Sequence, residues 1–245
     1  MSVDDSFTKS LLHMDGADTS QTFTDESGKT WTARNHAQID TAQSKFGGAS
    51  GLFDGTDDWI DTPDSDDWYL DDGSNNNSWT IDFWLKLSAE HDSGFCGQFV
   101  NTSNWWGLCW YPNTLQLVSL AGGVTKVVYA PDCTLTTAAG WTHIAVVKDG
   151  TNGYTGYKNG ISLGTATDTD TLTNLAAILT IGKTTDSAST VFWMHGWLEE
   201  FRISKGIARW TANFTPPISP YANQYIKHLY YRGHSRLDLT KISRP

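Results

Sequence analysis

The strongest constraint in this sequence is a period of two. From Trp79 to Lys86, the residues Trp79, Ile81, Phe83 and Leu85 alternate with Thr80, Asp82, Trp84 and Lys86. Successive side chains of a strand point to opposite faces, so such a run carries one apolar face and one mixed face. Trp141, His143, Ala145 and Val147 alternate in the same way with Thr142, Ile144, Val146 and Lys148. Further short strands are expected over 8–14, 50–61, 94–100, 106–111, 114–119, 124–130, 154–158, 161–166, 178–182 and 191–204. Asn159-Gly160 joins two of them, and both residues accept positive φ, which predicts a type I′ hairpin. Helix formers are scarce. Of 27 acidic residues only Glu26, Glu90, Glu199 and Glu200 are Glu, and the other 23 are the turn-favouring Asp. The expectation is an all-β fold, two antiparallel sheets in one domain of the 245-residue chain.

Charge narrows the partners. The net charge is −10, with 17 Lys and Arg and no basic cluster in the body, which argues against nucleic acid. No apolar run reaches the roughly 20 residues of a membrane helix, so no membrane partner is expected. The start, Met1-Ser-Val-Asp-Asp-Ser, has neither a basic segment nor an apolar one, so synthesis in a host cytoplasm without a signal peptide is expected. Cys96, Cys109 and Cys133 have no paired spacing and are expected as small buried side chains. The end of the chain differs in character. From Gln224 onward five basic residues face Asp238 alone, a local +4 that leaves −14 on the body. Residues 1–221 are therefore read as the domain and 222–245 as a basic, aromatic tail. Its Tyr230, Tyr231, Arg232 and Arg236 are candidates for anchoring a partner.

Two stretches carry candidate chemistry. Nine Asp lie between Asp54 and Asp72, interleaved with Trp59, Trp68 and Tyr69. They read either as a solvated loop run with aromatic plugs or as an oxygen-rich rim for a hard cation or sugar hydroxyls. The run Asn101 to Trp106, with Trp110 and Tyr111 beyond, combines amides with aromatic platforms of the kind that stack on sugars. Trp105 and Trp106 must point in opposite directions on a strand, so one of them is expected at the surface. Asn104, Trp105, Trp106 and Tyr111 are the candidate carbohydrate-binding residues, with Trp84 and Trp193 as weaker ones. The seven His have no ligand spacing, and His143 reads as a satisfied buried residue. No nucleophile elbow, phosphate loop or dinucleotide fingerprint is present.

Three segments resemble one family. They are LLHMDG (11–16) with TFTDESGKTW (22–31), SKFGGASGLFDGTDDWIDTPDSDDW (44–68), and HGWLEEFRISKGIARWTANFTPP (195–217). With WTIDFWLK, WTHIAVVKDG and YKNGISLGT they follow, in order, the concanavalin A-like lectin/glucanase superfamily in its laminin G-like branch. The resemblance implies a jelly-roll sandwich in which the first and last strands are neighbours. It also implies one structural calcium where those strands meet, at Asp15, Asp25 and Glu199, with Glu199 standing where the family usually has Asp. Glucanases of this fold carry E-x-D-x-E on one strand. The four Glu here never form it, and adjacent Glu199 and Glu200 are expected on opposite faces, so no enzyme is expected. Within the three segments, LFDGTDDWIDTPDSDDW (52–68) and EEFRISKGIARWTANFTPP (199–217) resemble laminin G-like domains of phage virion and marine metagenomic proteins. The implied role is a lectin-like adhesion module on a virion surface, binding glycan or cell-surface polysaccharide and docked to other virion subunits through its tail. A homo-oligomer would suit multivalent display. A purely structural cap or cement protein and a polysaccharide hydrolase are the alternatives.

Overall fold

The alternating runs pair into sheets in a computed structural model that describes residues 6–222 except 75, 112, 151, 152, 168 and 169. The strands are β1 (Thr8–Leu12), β2 (Thr32–Arg34), β3 (Gln38–Asp40), β4 (Ser50–Asp54), β5 (Trp59–Thr62), β6 (Trp79–Leu87), β7 (Ser93–Asn101), β8 (Asn104–Tyr111) and β9 (Thr114–Ala121). They continue as β10 (Val124–Tyr129), β11 (Thr142–Lys148), β12 (Tyr154–Lys158), β13 (Ile161–Ala166), β14 (Leu179–Ile181), β15 (Lys183–Thr185), β16 (Val191–Trp193) and β17 (His195–Lys205). An eight-stranded sheet has the order β13-β12-β11-β6-β17-β4-β3, with β1 also on β17. A seven-stranded sheet has the order β10-β9-β8-β7-β14-β5-β2, and β15 and β16 form a separate hairpin. All pairings are antiparallel, and the first and last strands are neighbours, as the resemblance implies. Asn159 and Gly160 both take positive φ, 50° and 75°. Helix is confined, among the described residues, to two short 3-10 turns, Asp66–Trp68 and Thr137–Ala139.

Two expected strands are each divided in the structure. The run 50–61 breaks at Gly55, where Asp54 accepts the Thr56 amide (2.7 Å) and Asp58 accepts the Asp54 amide (3.1 Å). That Asx turn sends β4 to one sheet and β5 to the other. The run 191–204 breaks at Met194, so β16 leaves with the hairpin while β17 crosses the eight-stranded sheet. The three-residue strands β2, β3 and β15 are too short to show a period and have no counterpart in the sequence reading.

The core lies between the sheets. Ile81, Phe83, Ile144, Val146, Phe201 and Ile203 come from one side, and Phe95, Leu108, Leu117 and Ile181 from the other. Phe83 sits 5.0 Å from Phe95 and 5.7 Å from Phe201, ring centre to ring centre. The three cysteines are free and buried, and burial pushes the Cys109 thiol up to about 12 and Cys133 up to about 11, which leaves them unreactive.

The outer face of the eight-stranded sheet is covered as well. The segment 207–221 lies across it and packs Trp210 and Phe214 onto Ala145, Val147 and Tyr157. Asp82, buried on that face, accepts Arg202 through Nε (2.9 Å) and Nη2 (3.1 Å) and also the Tyr221 hydroxyl. The Arg202 guanidinium stacks 3.7 Å from the Tyr221 ring. His143 is fully buried with Nε2 3.5 Å from Asp82, between the Trp84, Trp210 and Phe214 rings. Burial alone would raise the Asp82 carboxyl, but Arg202 and then His143 hold it down at about 2.

Candidate functional site

The four residues expected to bind carbohydrate do not share one surface. Trp106 is 2% exposed and belongs to the core, where its indole donates to Gln98 (3.0 Å). Trp105 is 7% exposed on the opposite face, so neither Trp is at the free surface. On the Trp105 side the β15–β16 hairpin packs over β7 and β8. Two glycines let it approach. A Cβ at Gly94 would lie 2.2 Å from the Thr184 amide nitrogen, and one at Gly107 3.2 Å from the Thr184 side chain. Asn104 holds turns together, accepting the Gly122 amide (2.9 Å) and donating to Asn101 (3.1 Å). Tyr111 alone of the four is exposed, at 43%, edge-on to Phe192.

The structure gathers a different set on the outer face of the seven-stranded sheet. On β5, Ile60 points into the core, so Trp59 and Asp61 point out. Register places Arg34 beside Trp59 and Thr180 beside Asp61. Asp61 accepts Arg34 Nε (2.6 Å) and Nη2 (3.0 Å) and the Trp59 indole (3.0 Å), which fixes the Trp59 ring. Trp193, on β16, faces Trp59 with 5.7 Å between ring centres, and both indoles are half-buried. Lys183 on β15 completes the group, its Nζ 3.6 Å from the centre of Trp59 and 5.5 Å from that of Trp193. Burial lowers its pKa, Asp61 opposing the shift and Arg34 adding to it. Among the described residues this ammonium has ring contacts but no hydrogen bond or ion pair. Beside it lies a cavity of about 110 Å³ whose lining includes Gly97, Gln98, Trp106, Thr180, Lys183 and Thr185. Trp193 was a weak candidate in the sequence, and the alternation of Trp59 with Asp61 about Ile60 was a usable signal. Lys183 had none, because its strand has three residues.

The acidic residues mostly have structural duties. Asp71 is fully buried and accepts the Trp79 indole (2.8 Å), Lys148 Nζ (2.7 Å) and the Leu172 amide (2.5 Å). Asp67 pairs with Lys29, and Asp72 with Lys205 (3.2 Å). In the same stretch Asp54, Asp57 and Asp58 come together with His36, their ligand atoms within 4.8 Å of one another. The Asp58 oxygens already accept the His36 and Asp54 amides, so this is a turn held by its own backbone.

Of the residues expected to hold calcium, Asp25 does not fit. Its carboxylate accepts Ser10 Oγ (2.6 Å), the Leu11 amide (3.3 Å), the Ser27 amide (2.6 Å) and the Trp31 indole (2.9 Å), which occupies its four acceptor directions. Glu199 is buried and accepts the amides of Lys45 and Phe46. Burial pushes it up to about 8, those amides opposing the shift and Glu200 and Asp15 adding to it. Glu199 and Glu200 were expected on opposite faces. Instead a β-bulge adds one residue between the Glu199–Trp84 and Arg202–Asp82 pairs, with Glu200 at φ 55°. Glu200 thereby accepts the Tyr221 amide (2.7 Å) and meets His13 Nδ1 at 2.6 Å, within electrostatic reach of Glu199. The anchoring candidates Tyr230, Tyr231, Arg232 and Arg236 lie outside the described residues.

Comparison with solved structures shows the same fold at low identity. The binding domain of Paraclostridial Mosquitocidal Protein 1 is 12% identical, with a TM-score of 0.59 over 82% of this chain and 49% of its own. Domain 4 of AbnA, a GH43 extracellular arabinanase from Geobacillus stearothermophilus, solved in complex with arabinotriose, is 19% identical. Its TM-score is 0.56 over 82% of this chain and 94% of its own. The binding domain of Botulinum neurotoxin DC, solved with rat synaptotagmin II, is 17% identical with a TM-score of 0.57, over 84% of this chain and 50% of its own. This chain thus spans about half the length of the two toxin domains. No curated protein matches it in sequence. A family model described as the Concanavalin A-like lectin/glucanases superfamily matches residues 54–209, well over half of the sequence. Sequence match, strand order and neighbouring folds agree, and the chain belongs to the laminin G-type branch of that superfamily.

Proposed function

We propose that this chain is a non-catalytic, lectin-like module that binds glycan or cell-surface polymer on the outer face of its seven-stranded sheet. The observation that carries the reading is the half-buried Trp59–Trp193 pair, with Trp59 oriented by Asp61. Stacked C–H faces of a sugar need such a platform, and the Arg34–Asp61 pair and Thr180 offer polar partners around it. The solved neighbours support it in kind, since each is a binding domain or carries an oligosaccharide. Particle display on a phage, as decoration, fibre or spike, rests on the resemblance of 52–68 and 199–217. In that setting many weak sites on one particle multiply each other, and the basic tail docks the acidic module to other subunits.

The test is a glycan array with the purified chain and its Trp59→Ala variant. Binding by the parent and its loss in the variant are expected. No binding to any glycan by a folded parent would favour the purely structural role, and release of reducing ends from a bound polymer would favour a hydrolase.

We retain calcium in this reading through Asp15 and Glu199 alone. Both are acids at one spot, and a divalent cation bound by them would relieve the repulsion that helps to raise Glu199. Melting with calcium and with excess chelator decides it: equal melting temperatures remove the ion.

A further inference from the structure

We infer that the outer-face site is built for an anionic saccharide, with Lys183 meeting the acid group while the sugar ring lies on Trp59 and Trp193. The inference rests on the glycan-binding reading above and adds the ligand's charge. Three observations carry it. Lys183 is the residue shared by the ring pair and the cavity, lying over Trp59 at 3.6 Å and lining the 110 Å³ space. Its ammonium has no carboxylate partner among the described residues, although Asp61 is close by, because Asp61 is committed to Arg34 and to the Trp59 indole. A half-buried cation left without a counter-ion is costly, and an arriving anion recovers that cost. Finally, the cavity is far below the roughly 300 Å³ of a site that encloses a whole small ligand, so it suits a substituent such as a carboxylate or sulfate projecting from a ring held outside.

The overall −10 charge does not forbid this. Its long-range repulsion is screened beyond roughly 8 Å at physiological ionic strength, whereas Lys183 acts at contact. Arg34 is already neutralised by its bidentate pair with Asp61, whereas Lys183 has no such carboxylate.

The experiment compares, by calorimetry, short oligogalacturonates, the same oligomers methyl-esterified to remove the charge, and sulfated galactan oligomers. Expected is binding of at least one acidic probe about tenfold tighter than the ester, the scale of a single charge-assisted contact. In Lys183→Met that preference disappears while ester binding stays, and in Lys183→Arg it persists. The arginine variant keeps the test valid if the methionine variant folds poorly. The acid that binds more tightly, uronate or sulfate, names the group, and either result supports the inference. Equal binding of acid and ester by the parent, or an acid preference that survives Lys183→Met, overturns it and leaves the glycan-binding reading standing. If no probe binds, and a glycan array is blank as well, both fall together.

Discussion

The two outer faces of this sandwich use similar residues to opposite ends. On the eight-stranded sheet, Asp82, Arg202, Tyr221 and His143 are sealed under the segment 207–221 with aromatic rings on every side. On the seven-stranded sheet, Arg34, Asp61, Trp59, Trp193 and Lys183 sit at the edge of a short hairpin, half-open, with one cation unmatched. The first group is covered and its Asp82 is matched by Arg202, so it contributes to stability and conformational definition. The second is uncovered and holds a cation without a carboxylate partner, and an incomplete constellation at a surface is where a ligand can add something. Electrostatic and aromatic density alone would not separate the two. Closure does.

The largest effect expected is on the sealed face. Asp82→Asn strands the buried Arg202 guanidinium and should destabilise by about 3–5 kcal/mol, roughly 10 °C of melting temperature for a domain of this size. A loss within 1 °C would mean that the network is not the clamp described. Trp106→Ala should cost about as much, roughly 3–5 kcal/mol, through a cavity in the core. Urea unfolding would show the loss. On the open face the balance reverses. Trp59→Ala should lower glycan affinity at least tenfold and cost only about 1 kcal/mol in stability, so a stability loss as large as that of Trp106→Ala would break the contrast.

Acid and base should act in opposite directions on two buried carboxyls of the eight-stranded sheet. Asp82 is held at about 2 against an ordinary value near 3.8, so its stabilisation is complete above about pH 4 and fades as the pH falls towards 2. Glu199 has the opposite sign. With a folded value of about 8 against about 4.5, the folded state holds its proton longer, and stability declines as the pH rises from about 4.5 to 8. Glu199→Gln should flatten the melting temperature between pH 5 and pH 8, and an unchanged slope would refute the assignment. The smallest effect is Tyr111→Ala, expected within about 0.5 kcal/mol in stability and without change in glycan binding, since it lies against Phe192 rather than on the Trp pair.

Much of this was legible in residue order. The alternation at 79–86 and 141–148, the Asn159-Gly160 turn and the shortage of Glu placed the long strands β6, β11 and β12 and the all-β class. The same alternation gave β6 a mixed outer face without showing what covers it: in the tertiary structure Tyr221 reaches Asp82 there, and Phe46 and Lys45 lie against Trp84. For the site, the sequence pointed to Trp105 and Trp106 because aromatic density is visible in one dimension. Their surroundings are not: Trp106 faces the core between the sheets, and a hairpin lies on the other side, that of Trp105.

By itself the sequence determined the class and the lack of familiar catalytic motifs. Those properties follow from local propensity, period and composition, which act over a few neighbouring residues. Only the tertiary structure decided which charges close on each other and which do not. Asp82 and Arg202 are 120 positions apart, and Trp59 and Lys183 meet only because β14 carries the chain back beside β5. Pairings at that separation depend on register and on what covers each face, and no local pattern encodes either.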